Sequence, residues 1–587
     1  MDLKFSGHVP SPAEKRAVDD ELGPEPATAS RDRLLPVLHA IQERIGWISP
    51  GALNYAGRRL RVPPAEAYGV AEFYGLLSTA PRPPCVVHVC DDLACRLAGS
   101  GTICANLTER FGPAGTPAAG GRSTWLRSAC LGQCEMAPAA FLQSAGDKPR
   151  QVALKRTDAE ALSEILEEPE QAALLPADTL RTAISVPQAG QPGITLLKWV
   201  GALRPDSLED YRRAGGYSGL EKAQRLGAAE VLRELAASEL VGRGGAAFPS
   251  GRKWQAVAAA PAPRYVVCNA DESEPGTFKD RVLMEGNPFL IVEAMTIAGF
   301  VTGCERGYLY IRGEYTLAAE RMSRALEVAR AAGLLGGGTG YDIELRRGAG
   351  AYICGEETAL FNSIEGFRGE PRTKPPFPTQ AGLFGRPTLV NNVETLSNLP
   401  GIVMEGSEAF AAIGTGQSKG SKLYCVSGHV GRPGLYEFPF GITLRQLIEE
   451  ARGVAGSGRL QAVLMGGAAG GFLSPAELDV PLTFEGLRQI GATLGSAVVM
   501  LFDDTVDLRS ALRQIAAFFR DESCGQCVPC RVGTVRQEEV LERLFEGTAD
   551  LALFREIAQA MRDASICGLG QTAPNAIDSA LTRFPLL

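Results

Sequence analysis

Histidine is scarce, with only His8, His39, His88 and His429 in 587 residues. Any metal centre is therefore expected to rest on thiolates. A basic excess is missing too: 59 Lys and Arg against 67 Asp and Glu leave a net charge of −8. That argues against a nucleic-acid binder, which normally carries a basic stripe, and leaves a protein partner open. No apolar run approaches the ~18 residues of a membrane span. The opening stretch MDLKFSGHVPSPAEKRAVDDE lacks an apolar h-region, so no secretory signal is expected. The 14 cysteines are too sparse for a disulfide scaffold. Most fall in two tight clusters, which without a signal implies a reducing cytoplasm.

What is present is ample: a chain of this length holds three or four domains. Residues 1–30 are rich in proline and charge and read as loosely ordered. From Arg31, Leu34, Leu38, Ile41 and Ile45 share one helical face, and the pattern suggests a helical bundle over 31–82. PPCVVHVC opens a compact αβ segment over 83–168 as a short buried strand ending in a thiol. Residues 169–195 read as an Ala/Pro/Gln-rich linker. Over 196–410 strands alternate with helices: YVVC, YLYIRG and YDIELR flank a long helical pattern, which implies a parallel sheet covered by helices. Short strands around the helix LRQLIEEAR suggest a small α+β module over 411–507, and 508–587 is helical again. The fold class is multidomain α/β.

The C-terminal thiols Cys524, Cys527 and Cys530 stand at a C-x2-C-x2-C spacing, with Cys567 following in SICGLG. Three close thiols and one remote suit the corners of a [4Fe-4S] cubane. Structural zinc is the alternative, but it usually takes two C-x2-C pairs. Gly525, Gly568 and Gly570 let backbone approach such a cluster. Near the N-terminus, Cys90-DDLA-Cys95 and Cys130-LGQ-Cys134 make the two-plus-two set a [2Fe-2S] cluster needs, with zinc or bare thiols as alternatives. Cys85 and Cys90 share the same spacing, yet they sit at opposite ends of the expected strand. Cys85 and Cys104 are therefore assigned to the core.

GRGGAAFPSGRKW (242–254) combines four glycines with Arg243 and Lys253. Its formal G-x-G-x-x-A follows a helical stretch, not a strand, so a Rossmann reading is rejected. The phosphate logic of glycine N–H groups beside a cation remains. CNADESEPGTFKDR brings Asn269, Asp271, Glu272 and Glu274 into one loop, which could equally be a solvated acidic turn. GEETAL adds Gly355, Glu356 and Glu357, RTKPPFP adds Lys374 and Phe377, and LVNNVET adds the amides Asn391 and Asn392. Phosphate donors, ribose-binding carboxylates, edge-reading amides and stacking surfaces together make an inventory for a flavin plus a dinucleotide.

These motifs resemble, almost letter for letter, the NADH-oxidising flavoprotein subunit of respiratory complex I and its relatives. The N-terminal part, from LLPVLHAIQERIGWISP to CLGQCEMAP, resembles that subunit's partner, a helical bundle plus a thioredoxin-like [2Fe-2S] domain. A fusion of the two without a further ferredoxin domain is most similar to the diaphorase subunits of cytoplasmic NAD-reducing [NiFe] hydrogenases. NAD-dependent formate dehydrogenases and electron-bifurcating enzymes use similar modules.

The resemblance implies FMN held by Gly242, Arg243, Gly244, Lys253, Asn269, Asp271, Glu272, Asn391 and Asn392, with Gly355 and Glu356 in the same cofactor site. It implies Phe248, Lys374 and Phe377 beside NAD(H), and Glu274 and Glu357 near its ribose or carboxamide. It also implies a ubiquitin-like module in the α+β segment. The expected partners are a ferredoxin-like iron–sulfur subunit and hydrogenase subunits. Hydride transfer on FMN needs no protein acid or base, and an acidic ribose site favours NAD over NADP. Two departures stand out: Ala247 replaces a glycine common in the family, and Gln255-Ala256 stand where relatives often place an aromatic. A zinc-bearing nucleotide-binding scaffold is the alternative from a different class.

Overall fold

The computed structural model describes residues 7–23, 30–175 and 182–587. The chain starts with a helix, Pro12–Leu22, inside the stretch expected to be loosely ordered. A capping box explains it: Ser11 Oγ accepts the Glu14 N–H at 3.2 Å, and the Glu14 carboxylate accepts the Ser11 N–H at 2.6 Å. Helices Leu34–Ile45, Pro50–Leu60 and Pro64–Ala71 follow as the bundle. Ser49 caps the second of these, and Gly46 ends the first in the left-handed conformation that suits glycine.

Four strands follow: β1 (Cys85–Cys90), β2 (Ser123–Ser128), β3 (Ala139–Ser144) and β4 (Arg150–Lys155). They form a mixed sheet in the order β2-β1-β3-β4. The central β1 is buried throughout; His88 is the one polar side chain in its CVVHVC run, and its Nε2 pairs with Gln143 Oε1 at 2.9 Å.

The expected linker over 169–195 is fixed where it is described; residues 176–181 lie outside the described residues. Ser185 donates to Glu135 at 2.7 Å, and Val186 and Ile194 are buried. The buried Glu437 carboxylate accepts the N–H groups of Thr195, Leu196 and Leu197 at 2.9–3.1 Å. Composition suggested a spacer here because these anchoring partners lie far away in sequence.

The third segment holds four parallel strands, β5 (Tyr265–Ala270), β6 (Arg306–Ile311), β7 (Asp342–Arg347) and β8 (Thr388–Asn392), in the order β7-β6-β5-β8. The helix Pro288–Thr302, apolar on nearly every face, is buried against it. Strand order reverses between β5 and β8. In an open parallel sheet the crevice beyond the carboxyl ends at such a reversal is where ligands bind.

A five-stranded sheet follows, made of β9 (Ser421–Gly428), β10 (Gly434–Pro439), β11 (Leu460–Met465), β12 (Gly471–Leu473) and β13 (Val498–Asp503) in the order β10-β9-β13-β11-β12. It carries the expected helix, Leu444–Glu450, and a second short one, Phe484–Gln489. Helices Leu508–Asp521, Val528–Phe545, Leu551–Ala564, Gly568–Thr572 and Asn575–Arg583 close the chain. No single helix among the described residues is long and apolar enough to cross a membrane.

Candidate functional site

A cavity of about 500 Å³ opens at the carboxyl ends of β5 and β8. That is within the usual range for small-molecule sites. Its walls come from four parts of the chain: the glycine loop at Gly244–Ala246, the acidic loop from Asn269 to Asp280, Tyr352–Glu356, and distant residues that include Thr493, Ser496 and Asn575.

Local geometry explains the glycines. Gly245 has φ +117°, which only glycine adopts readily, and a Cβ on Gly244 would lie 3.1 Å from the Asn392 Cβ. The loop thus brings bare backbone to the cavity, which suits a phosphate. It runs between helices Ala228–Ala237 and Ser250–Ala258, with no strand feeding it. Across the cavity, Asn269 Nδ2 donates to the Gly355 carbonyl at 2.8 Å and Asn269 Oδ1 accepts the Asp271 N–H at 3.1 Å.

Several acids here hold their protons unusually well. Burial pushes the Glu274 carboxyl up to about 7, although Tyr352 Oη and the Ala469 N–H both donate to it, the latter at 2.8 Å. Burial likewise raises Asp271. Perturbed carboxyls lining a cleft mark a functional site.

The structure places some expected residues elsewhere. Arg243 does not face the cavity: its guanidinium lies 4.7 Å from the centroid of the Phe440 ring and donates to the Lys419 carbonyl at 2.6 Å. Glu272 borders the cavity, but its carboxylate caps the helix Lys279–Gly286, accepting the Asp280 and Arg281 N–H groups at 2.9 and 3.0 Å. Asn391 Oδ1 accepts Trp254 Nε1 at 2.9 Å, away from the cavity. Asn392 does line it, while its side chain caps the next helix and bonds Asp280 at 2.6 Å. Glu272 and Asn392 are drawn to helix ends and Asn391 to a buried indole, while Arg243 is drawn to a loop carbonyl and an aromatic face.

Lys253, Glu356, Glu357 and Lys374 form an ion cluster next to the cavity. Lys374 Nζ reaches Glu356 at 2.7 Å and Glu357 at 2.8 Å, and Lys253 Nζ lies 3.8 Å from Glu357. Phe248 and Phe377 are large apolar rings left 51% and 53% exposed. Lys253 Nζ stands 5.9 Å over the Phe248 ring. Gly242 sits at the base of the loop, its N–H donating to the Phe248 carbonyl at 2.9 Å.

Sequence reasoning missed Tyr352, Lys279, Thr493, Ser496 and Asn575. Lys279 lay inside CNADESEPGTFKDR and Tyr352 three residues before GEETAL, so their signal was at hand. The other three come from remote segments and carry no local signal.

The thiols gather in two groups. Cys524, Cys527, Cys530 and Cys567 line one small pocket together with Ile353 and Leu569. Cys527 and Cys567 cap the helices Val528–Phe545 and Gly568–Thr572, and the Leu569 and Gly570 N–H groups point at the Cys567 sulfur. N–H groups aimed at sulfur suit an anionic cluster. Ile353 and Leu569 also line the large cavity, so the two spaces share a wall.

In the second group Cys130 Sγ lies 3.4 Å from Cys134 Sγ, and Cys90 stands close to Cys95 and Cys130. All four are buried. Cys85 lies at the far end of β1, packed with Cys104 and Trp125 in a separate core. Among the described residues no group of three or more His, Cys, Asp or Glu is arranged round a single metal ion.

Four families match the chain in register with these features. The thioredoxin-like [2Fe-2S] ferredoxin matches residues 22–170 and the Nuo51 FMN-binding domain residues 235–401. The SLBB domain matches residues 423–473, and the NADH-ubiquinone oxidoreductase-F iron-sulfur binding region residues 510–586. The chain is 44% identical over 394 residues to the NADP-reducing hydrogenase subunit HndC of Solidesulfovibrio fructosivorans, covering 65% of this chain and 80% of the relative. It is 45% identical over 399 residues to the F subunit of the NADH-quinone oxidoreductase of Aquifex aeolicus, covering 66% and 92%. A solved structure of an NAD+-reducing [NiFe]-hydrogenase in the air-oxidized state superposes with a TM-score of 0.80 at 33% identity, covering 94% of this chain and 92% of that one. The chain belongs to the flavoprotein family formed by the F subunits of NADH-quinone oxidoreductases and their hydrogenase counterparts, an NAD-linked oxidoreductase of FMN and iron–sulfur clusters.

Proposed function

We propose that the chain is the nicotinamide end of a cytoplasmic NAD-reducing hydrogenase. It exchanges a hydride between NAD(H) and FMN and passes electrons singly through the four-iron cluster to a ferredoxin-like partner. The observation that carries this is the shared wall: Ile353 and Leu569 border both the cavity and the four-thiol pocket. Bound FMN supplies the conversion between a two-electron hydride and single electrons.

The chain's own residues position and shield. Gly244 and Gly245 offer backbone to the phosphate, and Asn269 locks the acidic loop against Gly355. Phe248 and Phe377 offer exposed ring faces for the dinucleotide, flanked by Lys253 and Lys374. Glu274 faces the ribose, and above its raised titration point of about 7 its carboxylate repels a 2′-phosphate and favours NAD. Cys524, Cys527, Cys530 and Cys567 hold the four-iron cluster, and Cys90, Cys95, Cys130 and Cys134 the two-iron cluster.

The exit is supported by an apolar stripe beside the four-iron thiols. Val528, Val532 and Val535 are exposed on one face of their helix, and Ile566 is exposed next to Cys567. The match across the whole fused chain to the hydrogenase structure favours hydrogenase partners over those of the other modules. Purification of the native complex tests this. Nickel and hydrogen-dependent NAD+ reduction are expected; molybdenum or tungsten with formate-dependent reduction would overturn the hydrogenase assignment.

A further inference from the structure

Two buried guanidiniums of the flavin-binding region reach across into the thiol loop Cys130–Cys134. Arg312 Nη2 donates to the Cys130 carbonyl at 2.7 Å, and its Nη1 donates to the Glu272 carbonyl at 2.7 Å. Arg281 Nε donates to the Gly132 carbonyl at 2.9 Å. The fit is close, since a Cβ on Gly132 would lie 2.2 Å from the Tyr315 hydroxyl.

The two cations differ in their balance. Arg281 is flanked by two carboxylates, Glu135 and Glu285. Among the described residues Arg312 has one ion-pair partner, Glu314, through Nη2 at 2.8 Å and Nε at 3.1 Å, with the Asp271 and Glu522 carboxyls farther off. Arg312 and Glu314 are only 3% and 7% exposed, so solvent screens the pair weakly. Arg312 also joins two carbonyls, one on a thiol-bearing residue and one on the acidic loop of the flavin cavity. Neither residue borders that cavity.

We propose that the Arg312–Glu314 pair positions the two-iron thiol loop from the flavin-binding region and sets that cluster's reduction potential. The proposal rests on Cys90, Cys95, Cys130 and Cys134 holding the cluster. An added electron is stabilised by Arg312 and destabilised by Glu314. At an effective dielectric of about 20, any unit charge within about 12 Å of a one-electron couple biases the reduced-to-oxidised ratio by roughly tenfold or more.

The test is an anaerobic redox titration of the full chain, followed by the paramagnetic signal of the reduced two-iron cluster. Glu314→Gln preserves shape and leaves the cation unbalanced. It should raise the ratio about tenfold at the wild-type midpoint, an upward move of about 59 mV for one electron. Arg312→Gln should move the midpoint down, and Arg312→Lys, which keeps the charge, should restore most of it. The four-iron signal serves as an internal reference and should stay in place. A wild-type chain without a two-iron signal would overturn the thiol assignment. A wild-type signal whose midpoint Glu314→Gln leaves unmoved, or lowers, would overturn the role of the pair. Glu314→Gln alone decides the matter if the arginine variants do not fold.

Discussion

Replacing Glu274 with Gln should make the protein more stable at pH 8 and not at pH 5. The carboxyl ordinarily titrates near 4.5, and burial carries it up to about 7. The folded state therefore holds this proton to higher pH than the unfolded chain does. Stability falls as pH rises between those two values, and the penalty is complete above 7. It amounts to about 3 kcal/mol at pH 8 and under about 1 kcal/mol at pH 5. Gln has nearly the same shape and no charge to desolvate, and its amide oxygen can still accept from Tyr352 Oη or the Ala469 N–H. Urea unfolding of wild type and Glu274→Gln at the two pH values measures the difference. The same group predicts function: the pH profile of kcat/KM for NADH oxidation with a dye acceptor should bend near pH 7 in wild type and lose that bend in the variant. A variant with equal stability changes at both pH values, or one that keeps the bend, would refute the reasoning.

Three further outcomes follow from particular contacts. Cys527→Ala should abolish the four-iron signal while bound flavin remains, read by paramagnetic resonance and flavin extraction; loss of both would show the sites to be structurally one. Gly467→Ala places a Cβ 2.5 Å from the Glu274 Cγ at a backbone φ of +84°. It should raise the KM for NADH by displacing that carboxyl, with ~1–2 kcal/mol of backbone strain besides, and an unchanged KM would count against Glu274 beside the dinucleotide. Glu437→Ala strips the acceptor from the Thr195, Leu196 and Leu197 N–H groups. It should cost about 2–4 kcal/mol in denaturant unfolding, where an effect below ~0.5 kcal/mol would mean that this segment is not pinned there.

Cysteine spacing was the most readable part of the site, because ligand geometry restricts spacing directly. The opposite ends of one strand separate Cys85 from Cys90 on sequence alone, and the structure puts Cys85 in another core. Strands β5, β6 and β7 were legible because they alternate with a long helical pattern; β8, Thr388–Asn392, was read only for its amides. Polar side chains were harder. Arg243, Glu272 and Asn391 sit in the expected motifs, yet each is drawn to a carbonyl, a helix end or an indole that only the tertiary fold supplies. Thr493, Ser496 and Asn575 reach the cavity from over 200 residues beyond the acidic loop, and no local pattern announces that. The helix Pro12–Leu22 is a different kind of miss, since its Ser11–Glu14 capping box was visible in the letters.

The central claim, that hydride from NADH enters on FMN and leaves through the clusters, is tested most directly by anaerobic addition of NADH to the purified chain. The account predicts a brown protein whose flavin absorbance bleaches on addition, with paramagnetic signals of reduced iron–sulfur clusters appearing and no added mediator. A colourless protein containing zinc, without iron or flavin and unchanged by NADH, would contradict it.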